Sequence, residues 1–263
     1  MADLPLLNYE TLGNKQDPAV FVIHGLFGDK DNLKAIAKPL DGYFRILVDA
    51  RNHGDSFHSD DFSYVAMAAD IARLADHLGL DTFAVLGHSM GGKIAMETAL
   101  QYPQRVTAVI AADIAPVAYP AHHQTILETM QELDLAQLTS RRQADQQMAQ
   151  NIKEQGVRQF LLKNLRQTDN GYQWRLNLSG LIDHYEAVAG AVSEGNYSGP
   201  VLFIKGGQSN YLTADHQAAV EQRFSNTQVK IIEGTGHWLH AEKHRIFERL
   251  CREFFDREIR HES

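Results

Sequence analysis

Residues 85 to 92 read Val-Leu-Gly-His-Ser-Met-Gly-Gly, which places a serine midway between two glycines as Gly87-His88-Ser89-Met90-Gly91. A nucleophile presented at a sharp strand-to-helix turn needs that spacing, because the backbone there is strained and side chains at the flanking positions would crowd it. Ser89 is therefore the candidate nucleophile of an acyl-transfer reaction. A serine hydroxyl is weak without a base in hydrogen-bond reach, and the base needs an acid to orient it. Of 13 histidines, His237 in Gly234-Thr235-Gly236-His237 is the candidate base. It follows the last strand-like run on a glycine-rich loop, at the sheet end where reacting groups gather. His24 belongs to the turn His24-Gly25-Leu26-Phe27-Gly28, and His88 should point away from the nucleophile. His240 and His244 lie one helical turn apart, but the run HAEKH lacks the H-E-x-x-H order, so no metal is expected.

Two carboxylates compete to be the acid. Asp113 follows the run TAVIAA (107 to 112), which should neighbour the strand leading to Ser89. Parallel strands lie about 4.8 Å apart, so loops from two neighbours can reach one imidazole. Asp215 follows the later run PVLFIK (200 to 205), but Thr213 reads as a helix N-cap and Asp215 would complement the dipole of the first turn. The loop just after that run holds no carboxylate: FIKGGQSNYL offers only Gln208, Ser209 and Asn210. The tetrahedral intermediate of acyl transfer also needs N–H donors aimed at its oxygen. Met90 supplies one in this kind of site, and the loop HGLFG supplies the second, with Leu26 the expected donor and Phe27 the alternative.

These side chains require a particular scaffold. Apolar, β-branched runs at 19–24, 44–49, 83–88, 107–112, 200–205 and 228–233 have strand length and the near-continuous apolarity of parallel strands covered on both faces. Between them, 63–79, 90–101, 214–224 and 241–257 read as helices, and that alternation predicts a doubly wound α/β sheet. The rhythm stops between about Tyr119 and Asn196, where the pattern gives no convincing strand and helices near 121–137, 140–151, 155–165 and 178–190. A helical insertion on an α/β core is expected, with the core over 1–118 and 197–263 and a cap over 119–196.

Composition limits the alternatives. The chain has 263 residues with 44% hydrophobic content, enough for one large core carrying an insertion. The formal net charge is −8 and Lys and Arg are scattered, which argues against a non-specific binder of nucleic acid or anionic membrane. The single cysteine, Cys251, rules out an intramolecular disulfide, and its apolar neighbours at helical spacing predict a core position. No run reaches 18 apolar residues and MADLPLLNYE lacks a basic start with a long apolar run, so a cytoplasmic protein without membrane insertion is expected.

Taken together, HGLFG, DARNHGDS (49 to 56), GHSMGG, DIAP (113 to 116) and GHWLHAEK fall in the order of the α/β-hydrolase superfamily and resemble it over nearly the whole chain. HGLFGDKDNL with RNHG and DIAP is most similar to bacterial YbfF-type esterases. The resemblance implies an α/β-hydrolase fold, a mostly parallel doubly wound sheet with a helical cap inserted after the sixth core strand. It also implies a serine carboxylesterase acting on short-to-medium acyl esters or acyl-CoA thioesters, with no cofactor. In the resembled esterases the residue matching Asp113 is the acid, and the other loop reads G-G-x-S, as Gly206 to Ser209 do here. Ser209 then stands where a carboxylate is missing, and its hydroxyl is placed to bond His237 or Asp113. Leu161, Leu162, Leu165 and Trp174 are candidate acyl contacts, and Arg141, Arg142, Arg158, Lys163 and Arg166 candidate contacts for CoA phosphates. Acidic residues outnumber basic ones over 119–196, so no cationic docking surface is expected, and the oligomeric state stays open.

Overall fold

A computed structural model describes residues 4–259. Seven strands form one sheet: β1 (Tyr9–Leu12), β2 (Ala19–Ile23), β3 (Phe44–Val48), β4 (Phe83–His88), β5 (Val106–Ala112), then, beyond an insertion holding β6 (Leu165–Thr168) and β7 (Gly171–Trp174), β8 (Tyr197–Gly206) and β9 (Phe224–Ile232). Their spatial order is β1-β3-β2-β4-β5-β8-β9. Every pairing is parallel except β1 with β3. Both faces of the central strands are covered, and their apolar side chains divide into two cores. The edge strand β9, expected to be covered on both faces, leaves Val229 and Ile231 more than half exposed because no strand pairs beyond it. Phe21, Ile23, Val85 and Val109 point to one face, while Val20, Val22, Leu86 and Ile110 point to the other. The alternation follows from the period of two along a strand, and it explains why these strands are apolar throughout.

Helices Tyr64–Leu78 and Met90–Gln101 cover the first face, and the C-terminal helix His244–Ile259 covers the second. Tyr64–Leu78 starts at Ser63, whose hydroxyl accepts from the Ala66 N–H, and stops at Gly79 in the left-handed region with φ 69°. Cys251 is fully buried against the second face, among Phe247, Phe254 and Phe255. The expected helix over 241–257 is broken at Lys243 into Leu239–Glu242 and His244–Ile259. No helix among the described residues is long and apolar enough to cross a membrane.

Three further features differ from expectation. Five strands, not six, precede the insertion, because residues 4–18 supply only the short antiparallel β1 before a turn at Gly13 to Asp17. The insertion is not purely helical: β6 and β7 form an antiparallel hairpin, with Thr168 opposite Gly171. The turn Asp169-Asn170-Gly171 carries it, with Gly171 at φ 102°, a backbone that glycine adopts at no steric cost. The insertion's helices are also shorter than expected, at Gln124–Gln131, Arg141–Met148, Gln155–Leu162, Leu178–Asp183 and Tyr185–Ala189.

The strand order fixes where a site can form. From β2 the chain crosses to β3 on one side and then returns to β4 on the other, so the loops after β2 and β4 diverge. The crevice between them at the carboxyl ends is the switch point where open α/β sheets bind ligands.

Candidate active site

Strand β4 ends at His88 and the helix Met90–Gln101 begins at once, so the chain turns on Ser89 alone. Ser89 has φ 54° and ψ −120°, a strained backbone for a residue with a side chain. Close approach enforces it. A Cβ on Gly87 would lie 1.9 Å from the Gly91 carbonyl oxygen, and one on Gly91 would lie 2.2 Å from that of Ile23 in β2. The Ser89 hydroxyl makes no capping bond to its helix. It faces His237, with Oγ 3.0 Å from Nε2.

The other ring nitrogen, Nδ1, is 2.7 Å from Oδ2 of Asp113. Asp113 is fully buried and stands directly after β5, also in the left-handed region at φ 51°. Its Oδ1 accepts from the Gly206 N–H at 2.9 Å, and Oδ2 also accepts from the Ser209 hydroxyl. An ionised carboxylate is acceptor-only, which suits three donors converging on one side chain. With Nδ1–H donating to Asp113, the Nε2 lone pair is turned to Ser89. Ser209 thus bonds the acid, not the histidine. Asp215 is exposed in the short turn Ala214–His216, where Thr213 caps as expected, and the His237 ring nitrogens are hydrogen-bonded to Asp113 and Ser89 instead.

Side chains that the sequence motifs did not reveal hold His237 in place. The Tyr211 ring stacks on the imidazole with centroids 4.0 Å apart and planes at 23°. Tyr119 ties Tyr211 down: its hydroxyl accepts from the Ala115 N–H at 2.8 Å and donates to the Tyr211 carbonyl. His88 lies beneath, its Nε2 donating to the His237 carbonyl at 2.8 Å. Burial, with His240 and His237 close by, pushes the His88 imidazole well below its usual range, so it stays neutral. Burial likewise pushes His240 and His123 down to about 4.

The N–H groups of Leu26 and Met90 have no acceptor among the described residues, and neither has that of Phe27, the alternative donor. Leu26 and Met90 both border the space in front of Ser89. Gly25 brings the first of these loops in closely, since a Cβ there would stand 3.3 Å from Cβ of Ser89. Among the described residues no group of His, Cys, Asp or Glu side chains is arranged to hold a metal ion.

Two spaces meet at Ser89. The larger, about 660 Å³, runs between the core and the insertion, with Leu26, Phe27, Ile126, Val157, Phe160 and Trp238 among its walls. The smaller, about 40 Å³, is bounded by Tyr64, Lys93, Tyr119 and Tyr185. Lys93 is 1% exposed and has no carboxylate partner; its ammonium donates to the carbonyls of Ala189 and Gly190 and lies over the Tyr119 ring. Burial pushes its pKa down to about 7. Of the four expected acyl contacts only Leu161 lines the larger space. Leu162 and Leu165 are core residues, and Trp174 borders a separate groove. Of the candidate contacts for CoA phosphates, only Lys163 lies beside that space. Arg141, Arg158 and Arg166 are bonded to Leu165, Asp145 and Asp55 respectively.

Residues 18–244 match the model of the alpha/beta hydrolase fold family. The mouse sn-1-specific diacylglycerol lipase ABHD11 is 39% identical over 259 residues, a match covering 94% of this chain and 84% of that protein. Esterase YbfF of Escherichia coli strain K12 is 36% identical over 226 residues, covering 85% of this chain and 87% of that one. Among solved structures, a marine microorganism esterase superposes with a TM-score of 0.91 at 32% identity, over 96% of this chain and 100% of that one.

Proposed function

This chain belongs to the alpha/beta hydrolase fold family and is an esterase/lipase-type hydrolase, and from that premise we propose that it cleaves short-to-medium acyl esters through an acyl-enzyme on Ser89. One observation carries the reading: an unbroken relay from Ser89 Oγ through His237 to buried Asp113, opening onto an apolar space. Neutral His237 takes the Ser89 proton as the hydroxyl attacks the acyl carbonyl. Asp113 stabilises the imidazolium, and the N–H groups of Leu26 and Met90 receive the oxyanion. His237 then protonates the leaving alcohol. Water attacks the acyl-enzyme with the same proton traffic in reverse and releases the acid.

Residues 119–196 act as the cap of this site, since Ile126, Val157, Phe160 and Leu161 wall the larger space. A space of that size and apolarity suits an aliphatic chain. The same chemistry admits thioesters. With Lys163 alone at the edge of that space, however, p-nitrophenyl esters are expected to outperform acyl-CoAs of equal chain length. The mouse relative's name specifies a diacylglycerol lipase, and the apolar walls support a longer lipid chain as the second reading. A series of p-nitrophenyl esters, acyl-CoAs and diacylglycerols, each run with Ser89→Ala as the blank, tests all three. Undiminished turnover by Ser89→Ala would refute the acyl-enzyme reading, and a preference for CoA thioesters would refute the ester preference.

A further inference from the structure

The second oxyanion donor sits on a turn held from two sides: the core contributes the His24 Nδ1 contact to the Gly25 carbonyl at 2.8 Å, and the insertion contributes further contacts. Residues 25–28 close with the Gly28 N–H donating to the Gly25 carbonyl at 3.0 Å, and the third position, Phe27, has φ 63°. Glycine or asparagine normally occupies a turn position of this kind, because a Cβ disfavours it. A buried phenylalanine there persists only where surrounding contacts fix it. Core packing supplies part of them, and the insertion supplies specific ones. Asn164, 2% exposed and placed between the helix Gln155–Leu162 and β6, donates from Nδ2 to the Phe27 carbonyl at 2.7 Å. The edge of the Phe27 ring meets His123, with centroids 5.7 Å apart. Two residues further on, Arg175 at the end of the hairpin reaches the Asp29 carboxylate at 3.3 Å. The Arg175 N–H in turn donates to the Asn164 carbonyl at 2.8 Å, so both anchors belong to one unit.

We propose that Asn164 is a positioning residue for the oxyanion loop: by holding the Phe27 carbonyl, it fixes the Leu26 N–H in front of Ser89. The insertion then contributes to transition-state binding as well as enclosing substrate. This rests on the acyl-transfer reading above. Preorganised donors act through their placement, and a loop free to relax at Phe27 must be reordered in every catalytic cycle. The loss therefore falls on kcat more than on KM.

The test compares the wild type, Asn164→Ala and Asn164→Ser with p-nitrophenyl butyrate, together with inhibition by butylboronic acid, which forms a tetrahedral anion on an active-site serine. The expected result for Asn164→Ala is a kcat lower by roughly 10- to 100-fold with KM within about twofold, and boronate affinity lower by a similar factor. A folded variant with kcat and boronate affinity within about twofold of wild type would overturn the proposal. So would a raised KM at unchanged kcat, which would mark Asn164 as a wall of the pocket only. If Asn164→Ala does not fold, Asn164→Ser is read by the same criteria. Wild-type turnover that is lost in Ser89→Ala keeps the two readings apart, whereas a wild type without Ser89-dependent turnover would overturn both.

Discussion

At the scale of single residues, the buried carboxylate that orients His237 is the assignment most open to direct challenge. Asp113→Asn keeps the shape but presents the wrong hydrogen-bonding partner to Nδ1, so kcat should fall by roughly 10⁴-fold. Asp215→Asn should leave kcat within about twofold, because Asp215 is exposed and the His237 ring nitrogens are hydrogen-bonded to Asp113 and Ser89 instead. Steady-state kinetics of the two variants decide the matter, and the reverse ranking would move the acid to Asp215. Ser209→Ala removes one of three donors to Asp113 while leaving those from His237 and Gly206. A hydrogen bond to a charged group stabilises by about 1.5–3 kcal/mol, so a drop in kcat/KM of roughly tenfold is expected. Unchanged kcat/KM would make Ser209 a loop residue without influence on the relay. Ser89, His237 and the two proposed oxyanion donors, Leu26 and Met90, stand out in local motifs, because each sits on or beside a turn whose glycines mark it. Tyr211 and Asn164 do not. Their roles arise from partners distant in the chain, 137 positions away for Asn164 and Phe27, and no local spacing encodes such a pairing.

At the scale of elements, the site depends on how closely the helix Met90–Gln101 approaches β2. A Cβ on Gly91 would meet two backbone carbonyl oxygens, those of Ile23 and His24, at 2.2 and 2.5 Å. Backbone cannot yield as a flexible side chain can, so Gly91→Ala must push the helix away and separate Met90 from Leu26. Activity should drop more than about 100-fold, with a loss of stability of roughly 1–3 kcal/mol. Esterase assays and urea unfolding of the variant check both, and wild-type activity would show that the approach is not required. The alternation of apolar runs and amphipathic stretches disclosed six of the seven sheet strands. The short β1 is not legible in that pattern, because half-buried YETL lacks a continuous apolar run. Nor is the hairpin β6–β7, since its strands are largely polar or half-buried. Asn170-Gly171 was the available clue, a dipeptide favoured in tight hairpin turns.

At the scale of the whole molecule, buried neutral histidines make the fold sensitive to acid. Burial lowers His24 and takes His88 well below its usual range, while His53 is pushed down to about 3 and His123 and His240 to about 4. Well above pH 6.5 these rings are neutral both folded and unfolded, and they contribute little pH dependence. As pH falls from 6.5 toward 4, the unfolded chain binds protons that the folded rings refuse, and stability declines. Tm should fall by roughly 5 °C or more between pH 7 and pH 5. Thermal unfolding followed by circular dichroism over that range checks it, and a flat Tm would contradict it. At this scale too, the strand order brings three loops, each following a different strand, to one rim, where Ser89, Asp113 and His237 meet. Passage of the acyl group through Ser89 is observed directly by rapid-quench mixing of the enzyme with p-nitrophenyl butyrate, followed by peptide mass mapping. The predicted result is one butyryl group on the peptide carrying Ser89 in wild type and none in Ser89→Ala, which also loses turnover. Butyrylation elsewhere, or sustained turnover by Ser89→Ala, would contradict the account.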